Sequence, residues 1–260
     1  MQLNRRSSLK LGAVAMTMLA LPRLAAAQDA NTYPVEGGNI VIHPVDHASI
    51  VIETPGAVIY VDPVGGAETY ADLPAPGLIL ITHEHGDHYD AATLEGIGTD
   101  APIITNPAVL AMLPETLKVR ATAMENGTQA SQGDIGIEAI PAYNTTADRQ
   151  QYHPQGRDNG YILTIGGKRI YIAGDTEDTP EMRGLTDIEL AFLPMNLPYT
   201  MTVEQAAAAV EAFKPAFVYP YHHKGSDKGS DVEAFKALVE GGMSGTQVVI
   251  ADWYPTGQGG

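Results

Sequence analysis

The 260-residue chain has no cysteine, which excludes disulfides, thiolate metal sites, iron–sulfur clusters and a cysteine nucleophile. It also lacks the Gly-x-Ser-x-Gly turn that presents a serine nucleophile. Basic residues are scarce: 15 lysines and arginines face 31 acidic residues, a net charge of −16. Such a chain lacks the cationic surface that neutralises phosphates, so nucleic acid is not an expected partner. No long hydrophobic run occurs. The apolar stretch at residues 11–21 falls short of the roughly 20 residues a spanning helix needs. Chemistry in this chain therefore falls to histidines, carboxylates, hydroxyls or a bound metal.

What is present is ordinary globular material, 44% apolar and 18% charged, with 27 glycines and 18 prolines that imply many turns rather than a helical bundle. Residues 1–27 have the marks of an export signal. Arg5-Arg6-Ser7-Ser8-Leu9-Lys10 precedes the short apolar run, and Ala25-Ala26-Ala27 offers a cleavage site before Gln28. The paired arginines predict the twin-arginine route. The expected product, residues 28–260, is a soluble periplasmic protein with no membrane attachment, folded as a single domain.

Along that product the apolar, β-branched runs at residues 39–43, 48–53 and 57–61, punctuated by Gly and Pro, predict a strand meander. Residues 78–81 predict a buried strand, followed by helices at 90–97 and 107–113 with a strand at 101–105 between them. Strands are predicted again at 134–141 and in a hairpin over 161–173 turning at Gly166-Gly167. Strands at 190–193, 216–219 and 247–251 then alternate with helices at 202–213 and 231–240. Strands followed by βα units, twice over, fit two face-to-face sheets with helices outside and two similar halves.

The chemistry concentrates after residues 78–81, in Thr82-His83-Glu84-His85-Gly86-Asp87-His88. Histidines this close repel one another when protonated, whereas neutral imidazoles and a carboxylate suit a borderline divalent cation. His83 and His85, two apart on extended chain, point the same way and can chelate one ion. Asp87 and His88 can reach a second. Two more apolar strands end on ligand-type residues: Ala173-Gly174-Asp175-Thr176, where a carboxylate can bridge two ions, and Tyr221-His222-His223.

These residues resemble the metallo-β-lactamase superfamily of hydrolases, whose hallmark is His-x-His-x-Asp-His. The segments at 160–163, 192–195 and 202–221 look like the branch containing ascorbate-6-phosphate lactonase-like enzymes. The resemblance implies an αββα sandwich, two mixed β-sheets packed face to face with helices outside, and a metal site at their rim. It also implies two divalent ions, Zn or Mn, held by His83, His85, Asp87, His88, Asp175 and His222, with Asp62 supporting the metal loop. The family's histidine between the first motif and the bridging aspartate is replaced by Asn144. Either Asn144 offers a carbonyl oxygen there, or His153 folds back to supply the missing imidazole.

Strand alternation turns His223 away from His222, where it can act as a proton donor or substrate contact. Asp87 is the other expected catalytic group, binding metal and orienting or receiving a proton. His43 and His47 flank the first hairpin, His47 open to a role supporting the metal ligands, and Tyr199 and Lys224 are candidate substrate contacts. The expected activity is metal-dependent hydrolysis of a small ester, lactone, amide or phosphodiester. The competing expectation is a non-catalytic periplasmic metal- or ligand-binding protein on the same scaffold.

Overall fold

The computed structural model describes residues 31–225 and 229–255; the export-signal region lies outside the described residues. The first sheet runs in chain order from β1 (Thr32–Val35) through β2 (Gly38–Asp46), β3 (Ser49–Glu53), β4 (Val58–Val61), β5 (Leu78–Leu80) and β6 (Ile103–Thr105) to β7 (Ala121–Ala123). The second holds β8 (Gln129–Gln132), β9 (Ile135–Ala142), β10 (Asp158–Ile165), β11 (Lys168–Ile172), β12 (Ile188–Pro194), β13 (Phe217–Tyr221) and β14 (Gln247–Val248). Each sheet begins as an antiparallel meander and ends in parallel pairs, β4 to β7 and β11 to β14. The similar halves read from the sequence are thus two copies of one topology.

Helices α1 (Ala91–Ile97), α2 (Pro107–Met112) and α3 (Glu115–Lys118) follow strands of the first sheet, and α4 (Pro180–Arg183), α5 (Val203–Phe213) and α6 (Val232–Glu240) follow strands of the second. Strand alternation divides each central strand between two cores. Leu78 and Leu80 face the other sheet while Ile79 and Ile81 face the outer helices. Leu190 and Phe192 likewise enter the inter-sheet core, and Ala191 and Leu193 pack under α5 and α6. Burial on both faces is why these strands read as unbroken apolar runs. The result is the helix–sheet–sheet–helix layering expected from the sequence, and no helix among the described residues is long and apolar enough to cross a membrane.

Helix starts follow local chemistry. Thr202 and Gln205 form a reciprocal capping box at α5, Asp90 accepts from Ala92 N–H at α1, and Asn106 caps α2 ahead of Pro107. The consequence for function is geometric. The parallel strands of both sheets point their C-terminal ends at one rim, so the loops after β5, β11 and β13 meet there.

Candidate metal centre

Five chain segments deliver side chains to this rim. The loop after β5 brings His83, His85, Asp87 and His88; the segment after β11 brings Asp175; His222 follows β13; His153 lies on the loop between β9 and β10; and His47 sits in the turn between β2 and β3. They fall into two groups linked by a third set, His83, His88 and Asp175. His83 Nε2 and His85 Nδ1 lie 3.1 Å apart, and His153 completes a donor set within 4.8 Å. His222 Nε2 lies 3.4 Å from Asp87 Oδ2, with His47 Nε2 3.3 Å from the same oxygen.

Asp175 stands between the groups and divides its oxygens. Its Oδ1 is 3.3 Å from both His88 Nε2 and His222 Nε2, while its Oδ2 is 3.4 Å from His153 Nε2. Two of these atoms, His88 Nε2 and Asp175 Oδ1, are buried and make no hydrogen bond. Buried polar atoms are normally satisfied. Inward-facing imidazole nitrogens and carboxylate oxygens with orphaned members are the donor set of a borderline divalent pair, and the residues present fit such ions.

The outward sides of these ligands are held as well. Asp62, fully buried, accepts from Thr82 N–H (2.7 Å) and Thr82 Oγ1 (2.7 Å) and pairs with His88 Nδ1 (2.8 Å). His153 Nδ1 pairs with Asp158 Oδ2 at 3.1 Å, and Asp158 is gripped by Arg157, which also reaches Glu84. His47 Nδ1 is 3.1 Å from the Tyr254 hydroxyl. Such partners fix tautomer and ring orientation around a metal. Gly174, at φ 64°, lets the end of β11 approach the metal loop: a Cβ there would lie 2.9 Å from Asn159 O and 3.2 Å from Thr82 Cβ. Asp62, His47 and His222 also hold positive φ, 47°, 52° and 43°. Left-handed backbone in non-glycine residues costs about 1–3 kcal/mol each and persists where the surroundings over-determine it.

Charge is distributed unevenly. Burial, aided by the charge of neighbouring histidines, lowers the pKa of His83 and His85, keeping them neutral and able to donate a lone pair. Burial also works against charge on His88 and His222, but Asp175 and the other carboxylates outweigh it and raise both. For Asp175, burial disfavours the anion, yet the His222 and His88 charges dominate and hold it well below the usual carboxylate range. His153 is likewise opposed by burial but pushed up to about 9 by Asp158 and Asp175.

The structure thus brings together His83, His85, Asp87, His88, Asp175, His222 and His153. His223 is set apart: half-buried, it packs edge-on against the Tyr254 ring and does not line the cavity over the centre. Burial and the neighbouring Lys224 charge lower its pKa to about 4. His153, not Asn144, stands beside His83 and His85 as the third imidazole of a possible donor set, while Asn144 donates its side-chain N–H to Arg149 O and Tyr199 O. Sequence reasoning placed His47 beside the centre rather than in it, and missed Asn196 and Tyr152 on the cavity wall. The available signal for His47 was its place in a two-residue hairpin turn, where left-handed backbone usually selects Gly or Asn.

Layered sheets with histidines and aspartates converging at one rim define the metallo-β-lactamase fold class. The beta-lactamase superfamily domain matches residues 41–222. A UPF0173 metal-dependent hydrolase from Pyrococcus abyssi is 33% identical over 205 residues, covering 74% of this chain and 89% of the relative. Among solved structures, a protein from Parabacteroides distasonis described as a metal-dependent hydrolase is 41% identical, with TM-score 0.76, covering 86% of this chain and 99% of the other. A metallo hydrolase from the archaeon Ignicoccus hospitalis is 26% identical, with TM-score 0.69, covering 82% and 94%. The chain belongs to the beta-lactamase superfamily, within the group of UPF0173 metal-dependent hydrolases.

Proposed function

We propose that the protein hydrolyses a small ester, lactone, amide or phosphodiester with two divalent cations at this centre. The carrying observation is the divided Asp175 carboxylate, whose two oxygens face two separate donor groups. His83, His85 and His153 would hold one ion, and three imidazoles favour zinc there. Asp87, His88 and His222 would hold the other, with His47 beside them, a carboxylate-bearing set that also suits manganese. Bound cations would lower the pKa of a water and polarise the scissile group, supplying the nucleophile the side chains lack.

The chain's own residues supply binding and proton handling. Asp87, partly exposed at the cavity floor, is placed to receive a proton and return it to the leaving group, with His47 3.3 Å away to orient it. The cavity above the centre is about 300 Å³, sized for a small molecule, and its walls include Tyr152, Tyr199, Asn196 and Lys224. Lys224 is the one lysine or arginine lining it among the described residues and lies over the Tyr254 ring at 3.9 Å. That favours a substrate with an anionic group. With His153 beside His83 and His85, the missing histidine at 144 gives no support to a non-catalytic role.

The test combines elemental analysis with a panel of chromogenic lactones, esters, phosphodiesters and a cephalosporin. Turnover of one class is expected, abolished by a chelator and restored by zinc or manganese. Two bound metals with no turnover across the panel would instead favour a metal- or ligand-binding protein.

Export by the twin-arginine route to the periplasm belongs to the same proposal and rests on Arg5, Arg6 and the Ala25-Ala26-Ala27 site. Replacing both arginines with lysine should leave uncleaved precursor in the cytoplasm. Normal cleavage and export of that double variant would overturn the route.

A further inference from the structure

The geometry points to Glu177 as the positioning residue that delivers His153 to the first metal group, an inference that rests on the metal-centre reading above. His153 arrives from a mostly polar loop between β9 and β10 in which, besides His153 itself, only Tyr143 and Asn144 are buried. Such a loop has little apolar burial to offset the entropy of ordering it, so its path depends on polar anchors. Glu177 is fully buried and supplies them. Its Oε2 accepts from Thr145 N–H (2.8 Å), Thr145 Oγ1 (2.9 Å) and Thr146 N–H (2.6 Å), and its Oε1 from Arg149 Nη1 (2.9 Å).

A buried carboxylate is costly unless it is paired and hydrogen-bonded, and here four donors from one loop satisfy it. The anchor also has the right origin. Glu177 lies two residues beyond Asp175, and its N–H donates to Tyr143 O at 3.0 Å. The segment that presents the shared carboxylate therefore also grips the loop that presents the third imidazole. At the neck of the loop, Asn144 N–H donates to His153 O at 2.9 Å, so chain gathered by Glu177 returns at the level of the centre. Arg149 extends the clamp by donating to Thr200 O at 2.9 Å, tying it to the segment that holds Tyr199, whose ring meets Tyr152 at 5.0 Å.

Glu177→Gln keeps the shape but offers one acceptor oxygen and turns an amide N–H₂ toward donors. The experiment titrates metal-free full-length protein with Co²⁺, reading visible absorption and heat of binding. Wild type should take up two ions. In Glu177→Gln one should bind about 10–100-fold more weakly, the range for losing an outer partner of a metal ligand, and the other should be unchanged. His153→Ala should weaken the same ion more. Adding Glu177→Gln to His153→Ala should weaken it no further, because residues acting through one another are not additive.

Wild-type affinity for both ions in Glu177→Gln would overturn the clamp, even with a lowered Tm, and so would additive losses in the double variant. If Glu177→Gln fails to fold by circular dichroism, Arg149→Gln takes its place: weakening of the same ion supports the clamp, and unchanged binding overturns it. Wild-type protein that binds no cobalt would overturn the metal-centre reading and the clamp with it.

Discussion

Replacing Asp175 with alanine should empty both halves of the centre together. Its Oδ1 serves the side formed by His88 and His222, and its Oδ2 the side completed by His153. No other carboxylate among the described donor groups reaches both sides; Asp87 faces only His47, His88 and His222. Losing a direct ligand should exceed the about 10–100-fold affinity cost of losing an outer-shell partner, and it should do so at both sites. Hydrolysis should fall below detection, since in the proposed reaction the cations would supply the nucleophile. Thermal stability gives an independent reading. A ligand at 100 times its Kd stabilises the fold by about 2.7 kcal/mol, or roughly 5–11 °C in Tm for a chain of this size. That metal-dependent rise should appear in wild type and vanish in Asp175→Ala. Wild-type metal content in the variant would show that Asp175 is not a bridge.

The sequence was most legible where burial on both faces forced a simple pattern. β5, β11 and β13 carry short apolar runs that lead directly into ligand-type residues, and the long helices α5 and α6 show themselves by periodicity and caps. Elements that bury little left no such trace. β8 (Gln-Ala-Ser-Gln) is exposed throughout at a sheet edge, β7 is a three-residue edge strand, and α3 and α4 are single turns. β1 was missed too, because its short Thr-Tyr-Pro-Val run contains a proline. The last strand is shorter than expected, β14 covering only Gln247–Val248.

The site divides in the same way. His83, His85, Asp87 and His88 lie together on one loop and need no tertiary information to be grouped. Strand alternation is no guide to His223, because β13 ends at Tyr221 and His222 holds left-handed backbone; the His223 ring packs against Tyr254 rather than lining the cavity. His47 reaches Asp87 through a hairpin turn whose position over the centre depends on both sheets. The route of His153 could not be read locally, since the donors and the carboxylate that shape its loop are about 30 residues apart in the chain.

His153→Ala and Asn144→Ala should separate the two ways of filling the first site. His153 aims Nε2 at the Asp175 side, with its ring centroid 5.0 Å from that of His83 and 4.9 Å from that of His85. Asn144 instead commits its side-chain nitrogen to two backbone carbonyls, and its Oδ1 is buried without a hydrogen-bond partner. His153→Ala should therefore lose the first ion on dialysis, with affinity falling by more than the about 100-fold that marks the upper end of outer-partner effects. The second ion should stay, because Asp87, His88 and His222 are untouched. Asn144→Ala removes two hydrogen bonds that shape the loop but no imidazole, so its loss should stay within that 10–100-fold range. Its stability should fall by about 1–3 kcal/mol from the loss of these two part-buried hydrogen bonds. Elemental analysis after dialysis, with a zinc titration of each metal-free variant, reads both effects. Equal loss of the first ion in the two variants would make the Asn144 oxygen a ligand, and two tightly held ions in His153→Ala would remove His153 from the metal centre.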